Sequence, residues 1–294
     1  MNDYENAIEI SNITKKYDGF TLDNVSLVVP KGSIMGFVGQ NGAGKTTTIR
    51  SLLNITQVDS GNIKIFGMDL KDNEAEIKSR MAVVFDELPF HDCLNAAQLD
   101  RIMREIYHKW SSDTFFAYLD RFALPRKKKF SQFSKGMKMK LQIAAALSHD
   151  AELLVMDEAT SGLDPVVRSE MLDVFMEYIN DENHSILMSS HITGDLERVA
   201  DSITFIHGGK ILMSDYKDVI LDDHRIIKCG DEQLGAIDSE DIVSIRKTQF
   251  GSEVMVKNFS AGGHKYNNMI VDKTTLDEIL LFNVKGMKSR EWTV

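Results

Sequence analysis

Apolar and polar residues alternate through residues 7–38, interrupted by turn residues at Asp18-Gly19 and Pro30-Lys31-Gly32, and the pattern predicts several strands ending in Ile34-Met35-Gly36-Phe37-Val38. That last strand runs into glycines, and from about Ala43 to Leu53 the apolar spacing becomes helical. Residues 62–70 read as a short strand pair and Met81–Phe85 as a buried strand. From about Pro89, apolar residues recur at three- and four-residue spacing, as in Leu99, Ile102, Met103, Ile106 and Tyr107, which predicts a mainly helical insertion over about 88–150. Strands return at Leu153–Met156, Ser185–Ser189 and Ile203–His207, the first two each followed by a helical stretch, the alternation of an α/β fold with a largely parallel sheet. Gly208-Gly209 turns a hairpin into Lys210–Met213. Beyond Asp222, short strand-like runs near Arg225–Lys228, Ile242–Ile245 and Val254–Val256 precede a helical Thr275–Phe282. The expected organisation is one α/β domain over 1–221 and a small α/β accessory domain over 222–294, with no internal repeat.

Composition narrows the classes. With 294 residues and 43% hydrophobic side chains, the chain can bury a substantial core. Its formal charge of −10 argues against a general nucleic-acid binder, because phosphate backbones are gripped by Lys and Arg. The two cysteines, Cys93 and Cys229, stand far apart in no metal-like spacing, as free thiols in a reducing cytosol would. The opening MNDYENAIEI carries three acids and no apolar run, unlike a secretory signal or transit peptide. No stretch approaches the ~18 consecutive apolar residues of a membrane-spanning helix, so any work at a membrane is expected to run through a partner.

Gly39-Gln40-Asn41-Gly42-Ala43-Gly44-Lys45-Thr46 matches G-x-x-x-x-G-K-[ST] at every defined position, between a predicted strand and a predicted helix. Glycines let the backbone curl until successive N–H groups face a phosphate, and the helix N-terminus adds a favourable dipole. Lys45 is expected to reach the β- and γ-phosphates of a nucleotide, Thr46 to place its hydroxyl on Mg²⁺, and Thr47 to bond a neighbouring phosphate oxygen. The apolar run Leu153-Leu154-Val155-Met156 ends abruptly in Asp157-Glu158, and paired carboxylates at such a strand end point to the ligand crevice of an open α/β sheet. Asp157 is expected to hold the Mg²⁺ shell and Glu158 to orient or deprotonate an attacking water.

Those two motifs specify a nucleotide-binding enzyme, and four further features narrow it. Phe133-Ser134-Lys135-Gly136-Met137, with Ser134 23 residues before Asp157, resembles the signature motif of the ABC ATPases, whose common form is Leu-Ser-Gly-Gly-Gln. Ser161-Gly162-Leu163-Asp164 resembles that family's D-loop, His191 its switch histidine, and Tyr17 the aromatic that stacks on adenine. The resemblance covers about residues 7–215, with the motifs in the family's order. It implies an ABC cassette with an antiparallel β portion, a helical insertion and a C-terminal extension. It implies ATP and Mg²⁺ as ligands, and Glu158, His191 and Lys45 as catalytic residues. ATP would rest against Tyr17, Gly39, Asn41, Gly42, Ala43, Gly44, Lys45, Thr46 and Thr47, while Ser134, Lys135, Gly136 and Met137 would act in trans on ATP held by a second cassette. The partners implied are that second cassette, as a homodimer or heterodimer, and a separate transmembrane permease subunit, which would hold the chain at the cytoplasmic face of the cell membrane.

Two departures from the family pattern stand out. Lys135 and Met137 replace a Gly and the Gln of the common signature, a variant resembling bacitracin-resistance and antimicrobial-peptide exporters. Lys135 has two readings, a cation beside the shared γ-phosphate or a solvated side chain. In Val83-Val84-Phe85-Asp86-Glu87-Leu88-Pro89 the family's Gln is replaced by Asp86, for which contact with Mg²⁺ and no such contact are equally open. Arg126-Lys127-Lys128-Lys129 reads as a solvated face or as a contact to a transmembrane subunit or anionic lipid. The expected function is that of an ATP-hydrolysing motor of a bacterial exporter of an amphipathic peptide, antibiotic or lipid. The alternative, a soluble ABC ATPase acting on ribosomes or DNA, lacks the second cassette or long coiled coil of such proteins, and a non-hydrolysing ATP switch could dispense with Glu158 and His191.

Overall fold

β1 (Asn6–Tyr17) and β2 (Phe20–Pro30) form a long antiparallel hairpin turned at Asp18-Gly19, where Gly19 takes φ 78°. Leu22, Val25, Leu27 and Val29 are buried while Asn24, Ser26 and Val28 face outward, the alternation of a sheet with one solvated face. β3 (Ile34–Val38) is buried at every position and leads through the glycine-rich loop to α1 (Lys45–Leu52). β4 (Ser60–Ile65) and β5 (Met68–Asp69) complete a four-stranded sheet ordered β2-β1-β4-β5. α2 (Glu74–Ser79) then delivers β6 (Met81–Phe85).

The expected helical insertion consists of α3 (Ala96–Ile106), α4 (Ser112–Arg121), a 3₁₀ turn at Phe130–Gln132 and α5 (Lys135–Ala146). Asn95 caps α3 reciprocally with Gln98, and Ser111 and Ser134 cap α4 and α5, so each helix start is fixed by its own sequence. The chain returns through β7 (Leu153–Asp157), α6 (Pro165–Tyr178), β8 (Ser185–Ser190), α7 (Thr193–Val199), β9 (Ser202–His207) and β10 (Lys210–Tyr216). The second sheet runs β10-β9-β3-β8-β7-β6, and its members from β9 to β6 are parallel. Every residue of β3, β7 and β8 is buried, which is why they read as apolar runs rather than alternations. Ile10, Ile63, Phe37, Ile49, Leu52, Val155 and Leu187 share one core, joining the antiparallel sheet and α1 to the parallel sheet.

The computed structural model describes residues 4–249, 251–259, 265–266 and 268–285, and contacts divide the chain between Ser214 and Asp215. The second unit contains α8 (Lys217–Asp223), β11 (Arg225–Cys229), β12 (Ile242–Thr248), β13 (Gly251–Val256), β14 (Ile270–Lys273) and α9 (Leu276–Lys285), with an antiparallel sheet ordered β12-β13-β11-β14. Ile227, Leu234, Ile245, Val254 and Val256 form its core.

Arg80 locks the two sheets of the first unit where β6 and β7 begin. Its Nε and Nη2 each donate at 2.7 Å to the two oxygens of Glu152, and Tyr4 donates to the same carboxylate at 2.9 Å. The guanidinium lies 4.1 Å over the Phe66 ring. The Arg80 hydrogen bonds hold the Glu152 carboxyl below its ordinary value of 4.5, and burial together with that carboxylate pushes the Tyr4 phenol up to about 12. A depressed carboxyl pKa contributes stability above its unfolded value that is lost as pH falls through the folded one. Arg80→Ala is expected to destabilise the protein by about 2 kcal/mol at neutral pH, and its unfolding free energy is expected to fall less steeply below pH 4.5 than that of the unaltered chain; chemical denaturation across pH measures both.

Candidate active site

The loop between β3 and α1 is shaped by contacts that only glycine permits. A Cβ on Gly39 would stand 2.5 Å from the carbonyl oxygen of Ile206, and Gly42 and Gly44 take φ 79° and 118°. Gly209 pins the loop from outside: its N–H donates to Ala43 C=O at 2.9 Å and its C=O accepts from Asp23 N–H at 2.8 Å. With φ 76° and an added Cβ only 1.9 Å from the Thr21 oxygen, position 209 tolerates no side chain. Lys45 is 5% exposed and curls back over the loop, its Nζ donating to Gly39 C=O at 2.6 Å and to Gln40 C=O at 3.3 Å. Asn41 and Thr46 face outward and Thr47 is half-buried.

The parallel register brings the other candidate residues to the same edge. Ser189, buried on β8, donates to Asp157 Oδ1 at 2.7 Å and accepts from Glu158 N–H at 3.1 Å. Thr46 Oγ1 lies 3.4 Å from the same Asp157 oxygen. Glu158 takes φ 55°, an uncommon left-handed conformation that aims its side chain back across the loop. One carboxylate oxygen is 3.1 Å from Lys45 Nζ, and the other is 2.5 Å from Nδ1 of His191. Glu158 thus bridges the cation of the phosphate loop and the histidine beyond β8.

Thr46 and Asp157 present adjacent oxygen donors of the kind Mg²⁺ takes. Among the described residues no group of three or more His, Cys, Asp or Glu side chains forms a self-sufficient metal cage.

Tyr17, 46% exposed, pairs across the hairpin with Phe20, whose ring edge would be 3.3 Å from a Cβ on Gly44, so Phe20 is the aromatic that touches the phosphate loop. Ser134 Oγ accepts from Met137 N–H at 3.3 Å, and a Cβ on Gly136 would meet Val167 of α6 at 3.5 Å. Asp164 caps α6, accepting from Val166 and Val167 N–H at 3.1 Å. Asp86 Oδ1 is 2.6 Å from Lys135 Nζ, so the two departures from the family pattern contact each other. Sequence reading missed Ser189 and the tie from Gly209 to the loop. The Ser-Ser pair at the end of an apolar strand was a signal for the first, whereas Gly209 offered only a turn.

Comparisons with known proteins identify the family. Residues 22–161 match the family described as ABC transporter. The chain is 34% identical to the bacitracin transport ATP-binding protein BcrA of Enterococcus faecalis, over 71% of this chain and 68% of the relative, and 38% identical to BcrA of Bacillus licheniformis over 70% and 68%. It is 32% identical to the lantibiotic transport ATP-binding protein SrtF of Streptococcus pyogenes, over 70% of this chain and 89% of the relative. A solved ATP-binding subunit of an ABC transporter superposes with a TM-score of 0.65 at 27% identity, over 73% of this chain and 91% of that one. With the phosphate loop, the strand-end carboxylates and these relatives in agreement, the chain belongs to the ABC transporter family, as one of its ATP-hydrolysing, ATP-binding subunits.

Proposed function

We propose that this chain hydrolyses ATP with Glu158 as general base, in a head-to-tail pair with a second cassette, and so energises export of an amphipathic peptide, antibiotic or lipid through a separate transmembrane subunit at the cytoplasmic face of the membrane. The observation that carries the hydrolytic part is the position of Glu158, held between Lys45 at 3.1 Å and His191 at 2.5 Å at the mouth of the phosphate loop. Loop N–H groups and Lys45 bind the phosphates, which compete with the Gly39 and Gln40 carbonyls and with Glu158 for the ammonium. Once Lys45 turns to phosphate, Glu158 keeps its contact with His191 and gains a free oxygen to accept a proton from water. Mg²⁺, bound through Thr46 and Asp157, would neutralise charge on the phosphates. Ser189 fixes the Asp157 carboxylate and the Glu158 backbone, so both acids keep their orientation.

Ser134, Lys135, Gly136 and Met137 open α5 and would face the phosphates held by the partner cassette, with Tyr17 beneath the adenine. The relatives named for bacitracin and lantibiotic transport support an exporter of peptide-like cargo. No helix among the described residues is long and apolar enough to cross a membrane. An apolar groove of about 320 Å³, lined by Ile55, Val83, Phe85, Phe90, Met103 and Tyr107, offers a seat for an apolar segment of that subunit.

Glu158→Gln is expected to slow steady-state ATP turnover by roughly 10²–10⁴, about 3–5 kcal/mol of barrier, while ATP still binds. Unchanged turnover in a phosphate-release assay would reject the general-base role. Lys45→Ala is expected to weaken ATP binding by about 10–100-fold in a nucleotide titration, because it removes a charge-assisted contact to phosphate. Purification of the chain from detergent-solubilised cells is expected to bring down a polytopic membrane protein in stoichiometric amount; ribosomal or DNA-bound proteins in its place would overturn the transport assignment.

A further inference from the structure

Three side chains of α5 reach one neighbour, the end of β6 and the segment that follows it. Gln142 clamps Phe85 by both backbone groups, accepting from its N–H and donating to its C=O, each at 3.1 Å. Lys138 donates to Asp92 at 3.1 Å, and Lys135 lies 2.6 Å from Asp86. Positions 135, 138 and 142 fall on one face of the helix, so a single ridge of α5 holds the whole 85–92 segment. The grip is uneven along that ridge. Gln142 is 3% exposed and makes a matched amide contact, whereas Lys135 and Asp86 are 46% and 47% exposed. An ion pair that exposed is worth little and exchanges readily.

Lys135 is also placed where it can change partners. Its ammonium lies against Gly162, at which a Cβ would stand 3.1 Å from Nζ, so the lysine is seated between the segment after β6 and the loop leading to Asp164. The first turn of α5 contains no acid, and the counter-ion of Lys135 comes from Asp86 on another element. A phosphate offers an ammonium more charge and more acceptor oxygens than one carboxylate does.

We propose that Asp86 and a nucleotide phosphate compete for Lys135. Asp86 occupies the ammonium in the chain alone; a phosphate of ATP held by a second cassette takes it over, and the Asp86 end of the segment is released while Gln142 keeps its hold on Phe85. Asp86 is a positioning residue in this scheme, acting through Lys135 and touching no phosphate itself. The inference rests on the head-to-tail closure proposed above.

The test is ATP-driven dimerisation of the full chain carrying Glu158→Gln, followed by sedimentation velocity over a range of ATP concentrations with Mg²⁺. Adding Asp86→Asn is expected to lower the ATP concentration for half-dimerisation by about two- to fivefold, the worth of an exposed pair, and Asp86→Glu to leave it unchanged. In a Lys135→Met background Asp86→Asn is expected to have no effect. A dimer that forms with ATP but ignores Asp86→Asn, or responds to it equally with Lys135→Met present, overturns the competition and leaves closure standing. Chains that bind ATP and never dimerise overturn closure itself, and the competition with it.

Discussion

Phe37 and Val38 of β3 stand opposite Ser189 and Ser190 of β8, and Ser189 stands opposite Asp157 of β7, so three buried parallel strands end at the same level. The site depends on this register. A slip of one residue would turn every side chain of the slipped strand to the other face and would separate Asp157 from Ser189 and Thr46. The register is secured by burial on both faces: all five residues of β3 and β7 and all six of β8 are buried, and the core beneath the antiparallel sheet includes Phe37, Val155 and Leu187. The apolar runs that make the strands insoluble by themselves are thus what brings a polar site to their ends.

The charges at that edge follow from the same constraint. Lys45 is almost fully buried, and an unpaired ammonium there would cost several kcal/mol. Two loop carbonyls and Glu158 satisfy it, and these are partners that a phosphate can replace without leaving the ammonium unpaired. Glu158 adopts its left-handed backbone for the same arrangement, a conformation costing about 1–3 kcal/mol that persists because Ser189 holds the Glu158 N–H through both its hydroxyl and its carbonyl. The strained backbone of Glu158 and the buried ammonium of Lys45 thus meet where phosphate chemistry would use them.

Much of this was legible in the sequence because the constraints are local. A phosphate loop needs glycines at fixed spacing, and an apolar strand ending in Asp157-Glu158 has no packing reason to do so; both stand in the structure where the pattern puts them. The strands of the six-stranded sheet stand within a residue or so of where the pattern predicts them, except β10, which runs on to Tyr216. α2 escaped because a helix that buries Ile77 alone carries no apolar period. β14 escaped because none of its four residues is fully buried. The tie from Gly209 to Ala43 and the support of Asp157 by Ser189 join residues distant in sequence: the glycine shows only a turn, and the serine pair closing an apolar strand marks a polar strand end without indicating Asp157 as its partner.

The two departures from the family pattern show the same limit more sharply. Lys135 and Asp86, taken separately, each pose a problem: a cation where a glycine is usual, and a carboxylate where a neutral amide is usual. Their ion pair makes each the counter-charge of the other, so the segment after β6 and the start of α5 together carry no net charge from the two replacements. The pair also does what a neutral amide cannot, because it ties the attachment of that segment to whatever other anion approaches Lys135. Gln142 and the buried core of α5 fix the helical insertion to β6, and the exposed pair at its tip contributes little to that attachment. Weakness at this position is compatible with a stable fold, since the stability resides at the buried end of the same helix face and the responsiveness at the exposed end.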